Sequence, residues 1–206
     1  MIAYNFPKEK KMKQSFFILT ILTLVASGCN LFTQPESISD NIKTDYSIGD
    51  RGPAGGIVFY DKSDSDGGWR YLEAWTTDEG TYQWKTSNTN TYGTATAIGS
   101  GFANTYTAMI GSQYPIIIAH PAAEICRIAT HGGYTNWHLP SSDELTLMYE
   151  QRAIIGGFDD IWGDQSYWSS SESSTSWAYF QYFYDDGFQS SGLKESNMRI
   201  RAIRAF

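Results

Sequence analysis

The chain has 206 residues, with 22 acidic against 15 basic side chains, a formal net charge of −7 and two cysteines. An acidic chain argues against nucleic acid, heparin-like glycans or anionic lipid as the main ligand, because those ligands bind basic patches. With so few cysteines, the fold must be held by its hydrophobic core rather than by a disulfide framework.

The first 28 residues have the order of an export signal. Four lysines within residues 8–13 precede an apolar stretch at 16–25, which ends at Ala26-Ser27-Gly28-Cys29. The stretch is shorter than the roughly 20 residues that a membrane-spanning helix needs. Small residues before a cysteine resemble the lipobox of bacterial lipoproteins. We therefore predict a signal peptide over 1–28 and a lipidated Cys29, with palmitate among its acyl chains; an ordinary secretory signal beside an incidental cysteine is the alternative.

Cleavage before Cys29 would remove four lysines and one glutamate and change the formal net charge from −7 to −10. In enteric bacteria, an aspartate directly after the lipidated cysteine favours retention of a lipoprotein in the inner membrane. This chain has Asn30 at that position, so we expect the protein to be in the outer membrane or at the cell surface. Residues 29–45 are polar and lack periodicity, which is typical of a flexible tether. The remaining segment, 46–206, is long enough for one domain with a proper core.

The domain begins with a turn-rich segment, 49–56, and an apolar run, Ile57 to Tyr60, that predicts a buried strand. Residues 64–68 form a turn into 69–75, which predicts a hairpin. The same turn matches a calcium loop in part, but Lys62 occupies the first ligand position and a strand follows instead of a helix. We therefore predict no metal and no cofactor.

The middle of the chain predicts an irregular excursion and two helices. Residues 80–100 are rich in Thr, Asn and Gly, with Trp84 as an anchor. In the helix at 121–129, Cys126 shares a face with apolar residues, so we interpret it as a core residue rather than a nucleophile. Ser141 and Glu144 have the spacing of a capping box at the start of the second helix, which explains its acidic residues without catalysis.

The C-terminal third is dense in aromatic residues and predicts strands at 166–170, 177–184 and 198–206, with a turn at 185–187. Both faces of the 177–184 strand are largely aromatic. One face belongs to the core, and the other is either covered by the chain itself or exposed to a ligand. We expect the three arginines of the last strand, Arg199, Arg201 and Arg204, to pair with carboxylates.

Tyrosine, tryptophan and serine provide rigid contact area together with adaptable hydrogen bonds, so we place a ligand face in this aromatic region. The candidate ligand-binding residues are Trp162, Tyr167, Trp168, Glu172, Trp177, Tyr179, Tyr182, Tyr184, Asp185 and Asp186.

Four segments together resemble the Lcl C-terminal domain family, a group of bacterial surface and lipoprotein domains of mostly unknown function. They are GPAGGIVFY (52–60), WHLPSSDEL (137–145), YWSSSE (167–172) and NMRIRAIR (197–204). The resemblance spans about 47–206 and implies an α+β fold of the C-type-lectin-like class, related to formylglycine-generating enzymes and to retroelement-diversified variable proteins. It also implies that the terminal strands pair, that two helices flank the sheet, and that the ligand face lies towards the C-terminus.

The chain lacks the motifs that carry activity in these relatives. The calcium-dependent sugar motifs of C-type lectins are absent, and no cysteine follows Cys126 to supply the active-site pair of a formylglycine-generating enzyme. The three histidines lack metal-ligand spacing, and neither a nucleophile elbow nor a phosphate loop is present. We therefore expect a noncatalytic, lipid-anchored binding or adhesion module for a glycan or protein. The alternatives are a structural envelope lipoprotein, a retroelement-diversified binding protein, and a glycan hydrolase that uses Glu172, Asp185 or Asp186.

Overall fold

The computed structural model describes residues 43–111, 119–158, 165–184 and 186–206. Within these ranges the chain combines two sheets with four helices, so it belongs to the α+β class. The strands are β1 Ile57–Asp61, β2 Tyr71–Ala74, β3 Gly80–Gln83, β4 Ser166–Glu172, β5 Trp177–Tyr182, β6 Gln189–Leu193, β7 Asn197–Ile200 and β8 Ile203–Ala205. The helices are α1 Gly101–Ala103, which continues into a π-helical turn at Asn104–Met109, α2 Pro121–Ile128, α3 Ser142–Glu150 and α4 Arg152–Ile155.

The smaller sheet has the order β1-β2-β8, and the larger one has the order β3-β7-β4-β5-β6. The predicted hairpin is confirmed, because β1 and β2 pair in antiparallel fashion. The last strand, β8, pairs with β2 rather than with β1, and it brings the C-terminus into the same sheet as the first two strands. In the larger sheet β4 and β7 are parallel, whereas its other strand pairs are antiparallel.

The C-terminal segment corrects two sequence-based predictions. The single strand expected at 198–206 is two strands, β7 and β8, which belong to different sheets and are separated by Arg201 and Ala202. The excursion at 80–100 also contains a strand, β3, that pairs with β7 from Gly80 to Gln83. The apolar alternation of residues 198–202 shifts by one position between Ala202 and Ile203, which are both apolar, and this shift coincides with the point where the chain changes sheet.

Both longer helices form where the sequence predicts them. In α3 the Ser141 side chain accepts a hydrogen bond from the Glu144 amide, and the Glu144 carboxylate accepts one from the Ser141 amide, so the capping box is confirmed. The helix buries Leu145 and Met148 in one core cluster. In α2 the thiol of Cys126 is fully buried in the other cluster, which also contains three buried tryptophans. That placement confirms Cys126 as a core residue.

The predicted pairing of the terminal arginines with carboxylates is also confirmed. Arg201 is fully buried, and its guanidinium lies 2.6 Å from Asp78 Oδ1 while Arg199 approaches the other oxygen of the same carboxylate at 3.2 Å. Arg204 donates to Glu73 Oε1 at 2.7 Å, deep in the domain. These pairs join the C-terminal strands to β2 and to the segment that follows it.

All described residues belong to one compact unit. None of the helices within the described ranges has both the length and the apolar character needed to cross a bilayer. The predicted signal peptide, Cys29 and most of the tether lie outside the described residues, so their assignment stays a prediction.

Candidate ligand-binding surfaces

The fold places two of the predicted ligand residues in the core. Tyr167 and Trp168 on β4 are fully buried. The Tyr167 hydroxyl donates to Asp78 Oδ2 at 2.8 Å, and burial raises the pKa of this phenol above its usual value. The Trp168 indole donates to the Tyr82 carbonyl at 3.1 Å. Neither side chain has exposed surface for a ligand, because adjacent strand positions point to the two faces of the sheet and both faces are covered here.

The Glu172 carboxylate contacts a loop of its own chain. It accepts hydrogen bonds from the amides of Thr91 at 2.8 Å and Tyr92 at 3.3 Å, and it pairs with the ammonium group of Lys194. Lys194 is itself fully buried and also donates to the Thr89 carbonyl at 3.0 Å. These contacts hold the segment at 89–92 against the sheet, which favours a structural role for Glu172 over a catalytic one.

The remaining candidates divide between the two faces of β5. Trp177 and Tyr179 lie on one face, where Trp177 is opposite Leu193 and Tyr179 is opposite Ser191 on β6. The exposed fractions of Trp177 and Leu193 are 42% and 45%. We call Trp177, Tyr179 and Leu193 the tryptophan patch.

The second group lies around the turn between β5 and β6. The rings of Tyr182 and Tyr184 are 5.1 Å apart between centroids, and the Tyr182 amide donates to the Phe188 carbonyl at 3.1 Å. Tyr184 is 39% exposed and Phe188 is 60% exposed. Asp186 accepts a hydrogen bond from the Phe188 amide at 3.1 Å and so stabilises the turn. We call Tyr182, Tyr184 and Phe188 the tyrosine patch; Phe188 was not among the residues predicted from the sequence.

Tyr182 connects this patch to the core. Its ring lies 5.0 Å from that of Phe180 and edge-on to it, and Phe180 in turn contacts Trp168 at 6.0 Å. The rings of Tyr182 and Tyr184 therefore extend a continuous aromatic row that begins inside the domain. Two other candidates, Trp162 and Asp185, lie outside the described residues.

The structure also contains a cleft that the sequence did not predict. It has a volume of about 310 Å³, within the range of small-molecule sites. It lies where the β1–β2 turn, helix α1, the start of α3 and the end of β8 meet. The lining residues are Gly67, Gly68, Trp69, Gly99, Phe102, Ala103, Asn136, His138, Glu144 and Ala205. We call it the Trp69 cleft.

Glu144 forms part of this cleft but is fully engaged by the backbone. Its carboxylate accepts hydrogen bonds from the amides of Gly99 at 2.8 Å and Ser141 at 2.6 Å. Burial raises the pKa of Glu144 above its usual value, although these amides oppose the shift. Gly101 must be glycine, because a Cβ atom there would lie 2.2 Å from Glu144 Oε2. The carboxylate thus fixes one wall of the cleft.

His138 is almost completely buried at another wall. Its backbone exchanges hydrogen bonds with Ile203 at 2.9 and 3.0 Å, and its ring lies edge-on to Phe102 at 5.8 Å. Burial lowers the pKa of His138 to about 4. The imidazole is therefore neutral at pH 7 and can serve as a hydrogen-bond acceptor or donor without charge.

We expect the imidazoles of His120 and His138 to titrate near pH 4. Burial lowers the pKa of both, and the ammonium groups of Lys85 and Lys194 add to the effect at His120. Because each folded-state pKa lies below the unfolded value of about 6.5, the neutral form contributes stability above pH 6.5 that is lost as the pH falls towards 4. An NMR titration of the imidazole resonances measures this separately from Glu73 and Glu144, whose raised pKa values act in the opposite direction. Midpoints near 6.5 would contradict the burial of these rings.

The lining residues of the Trp69 cleft come from distant parts of the chain. Trp69 follows the first turn, Phe102 lies in α1, and Asn136 and His138 precede α3. No sequence spacing connects them, and the sequence predicts only that Glu144 caps α3. The pairing of β8 with β2 and with His138, and the hydrogen bond from the Gly99 amide to Glu144, bring these segments together.

Comparison with known proteins adds no assignment. A scan against models of protein families finds no match, and a search of curated proteins finds no similar sequence. Among the described residues, no three or more His, Cys, Asp or Glu side chains are grouped as metal ligands. The candidate surfaces must therefore be judged on their geometry.

Proposed function

We propose that the chain is a noncatalytic, lipid-anchored binding or adhesion module of the bacterial envelope, and that the tyrosine patch is its ligand face. The observation that carries this proposal is the exposure of Tyr184 at the end of a row of rings that begins in the core, with the exposed Phe188 held to the same strand by the hydrogen bond from the Tyr182 amide. Exposed aromatic side chains held rigidly in this way provide contact area at a low entropic cost. A glycan or a protein is the ligand class that such a surface suits.

The proposed fold class within α+β is C-type-lectin-like, as the resemblance to the Lcl C-terminal domain family implies. Support comes from the small sheet that unites β1, β2 and the final strand β8, and from two helices of eight and nine residues, α2 and α3. The pairing of β8 with β2 instead of β1 modifies the expected contact between terminal strands but keeps both ends of the domain in one sheet.

The proposed anchor is a lipid on Cys29, at the end of a tether that reaches the first described residues near 43. The acidic charge of the chain supports an external ligand that is not a nucleic acid. A structural envelope protein is the second candidate, and the same tyrosine patch would then be an interface between copies of the chain.

The test compares the two aromatic patches. The full chain, the variant Tyr184→Ala/Phe188→Ala and the variant Trp177→Ala/Leu193→Ala are applied to an array of glycans and extracellular-matrix proteins. We expect the first variant to lose at least about 30-fold in affinity, the effect of losing a binding hot spot of about 2 kcal/mol, and the second to keep its affinity. Both variants should have melting temperatures within a few degrees of that of the unsubstituted chain, because surface substitutions have small effects on stability.

Other outcomes separate the alternatives. Loss of binding in the Trp177→Ala/Leu193→Ala variant alone would move the ligand face to the opposite side of β5. If the parent binds nothing on the array but forms dimers that Tyr184→Ala/Phe188→Ala dissociates in light-scattering measurements, the structural role replaces the binding role. Equal binding by all three proteins would refute both patches.

A further inference from the structure

We infer that the Trp69 cleft is a second binding site, which takes a neutral, hydroxyl-bearing ring such as a single sugar residue. This site is independent of the tyrosine patch, because the two share no residue. The inference rests on the shape of the cleft, on the hydrogen-bonding groups that its walls leave unused, and on its charge.

The walls combine apolar rings with small residues. Trp69 and Phe102 are the aromatic members of the lining, and Phe102 is fixed by stacking on Tyr106 at 4.4 Å. Gly67, Gly68 and Gly99 have positive φ angles, and a Cβ atom on Gly99 would lie 2.9 Å from the Trp69 ring. Side chains at these positions would strain the backbone or press on the indole, so the glycines keep the cleft open. An apolar wall of this kind suits the C–H face of a pyranose ring.

Three polar groups on the lining residues have no hydrogen-bond partner within the described parts of the chain. They are the indole N–H of Trp69, the amide nitrogen of Asn136 and Nε2 of His138. Asn136 is oriented by Arg204, which donates to its oxygen at 2.7 Å and leaves its NH₂ group available. His138 Nδ1 faces the Asn136 carbonyl at 3.4 Å, which favours a proton on Nδ1 and an acceptor at Nε2. The cleft thus offers two donors and one acceptor, a set that hydroxyl groups can satisfy because each both donates and accepts.

The charge of the lining selects against ions. None of its described residues is lysine or arginine. The Lys62 ammonium lies 4.6 Å from the Trp69 ring and Arg204 contacts Asn136, but each of these cations is already paired with a carboxylate, Lys62 with Asp64 at 3.0 Å and Arg204 with Glu73 at 2.7 Å. Its carboxylate, Glu144, already accepts two backbone amides and is poorly placed to attract a cation. Desolvating a charged ligand here would therefore be unfavourable, whereas a neutral polyol loses little.

The experiment titrates the ¹⁵N-labelled full chain with glucose, galactose, mannose, N-acetylglucosamine and glucuronate. The reporters are the backbone amides of Gly67, Gly68 and Gly99. We expect saturable shifts with at least one neutral sugar, with a Kd in the millimolar range, and binding of glucuronate at least tenfold weaker. Trp69→Phe removes the indole N–H but keeps a ring, and Asn136→Asp removes the amide donors but keeps an acceptor for Arg204. Each should weaken binding at least fivefold.

The control variant is Tyr92→Phe, which likewise removes a polar group but keeps a ring, lies outside the cleft and should leave the Kd unchanged. The spectrum of each variant without sugar shows whether it is folded. Shifts that stay linear up to about 100 mM for every neutral sugar, tighter binding of glucuronate, or undiminished binding by Trp69→Phe and Asn136→Asp would each overturn the inference. Because the readout is confined to the cleft, these outcomes do not depend on whether the tyrosine patch binds a ligand.

Discussion

Replacing Arg204 with alanine is expected to lower the free energy of unfolding by about 3–5 kcal/mol, the usual result of removing one partner from a buried ion pair. The carboxylate of Glu73 is fully buried and receives three donors: the Arg204 guanidinium at 2.7 Å and the amides of Gly56 at 3.0 Å and Ala54 at 3.3 Å. Without Arg204 the charge would remain buried with only the two amides. The guanidinium also lies 3.9 Å from the Tyr134 ring and would leave a gap there.

The loss should depend on pH in a defined direction. Burial raises the pKa of Glu73 above its usual value, and Arg204 opposes that shift. Removing Arg204 therefore raises the folded-state pKa further above the unfolded value. A raised carboxyl pKa means that the folded state binds the proton more strongly, so its stability falls as the pH rises through this interval. The loss of unfolding free energy caused by Arg204→Ala should accordingly be larger at pH 7 than at pH 4.5.

Urea denaturation at the two pH values measures this effect. The variant Arg204→Ala/Glu73→Gln removes the unpaired charge and should recover part of the lost stability at pH 7. Arg70→Ala is the matched control, because Arg70 pairs with Asp61 at 2.8 Å near the surface and should cost far less. A loss for Arg204→Ala no greater than that for Arg70→Ala would show that the Glu73 pair does not stabilise the pairing of β2 with β8.

Local signals in the sequence predicted the elements that depend on neighbouring residues. The capping box of Ser141 and Glu144, the hairpin of β1 and β2, and the buried Cys126 each follow from residues within one or two turns of each other. The carboxylate partners of the arginines could be predicted only as a class. That Glu73 and Asp78 fill this role depends on β2 lying beside β8 and on β3 lying beside β7.

The candidate ligand residues show where sequence reasoning stops. A strand with aromatic residues on both faces gives no sign of which face is covered, because burial depends on distant segments. Strand β6 was missed since Gln189–Leu193 is polar and contains Gly192, yet Gly192 is needed there: a Cβ atom would lie 2.6 Å from the Met198 side chain and 3.1 Å from Trp168. The rings of β4 were thus assigned to a surface although they lie in the two core clusters, Tyr167 against Phe183 and Trp168 against Phe180.

Trp168→Ala tests this enclosure and is expected to lower the free energy of unfolding by about 3–5 kcal/mol. The indole is fully buried, packs edge-on against Phe180 and donates to the Tyr82 carbonyl, so truncation leaves both a cavity and an unpaired acceptor. The close approach of Gly192 limits collapse around the gap, because the backbone of β6 already pairs with β5 at this position.

Trp177→Ala on the neighbouring strand is the matched control for Trp168→Ala. It removes the same side chain from a position that is 42% exposed, and we expect the free energy of unfolding to fall by less than about 1 kcal/mol.

Chemical denaturation of both variants, with ligand binding measured on the same array, shows whether each tryptophan belongs to the core or to the surface. Equal losses of stability would contradict the burial of Trp168. If Trp168→Ala instead abolished binding and left stability intact, the ligand face would lie on β4, and the side chains packed against Trp168, Phe180 among them, would have to open for recognition. A large loss confined to Trp168→Ala means that the aromatic density of this segment serves the core first, and that its exposed rings, Trp177 at the start of β5 and Tyr184 and Phe188 at the turn between β5 and β6, remain available to a ligand.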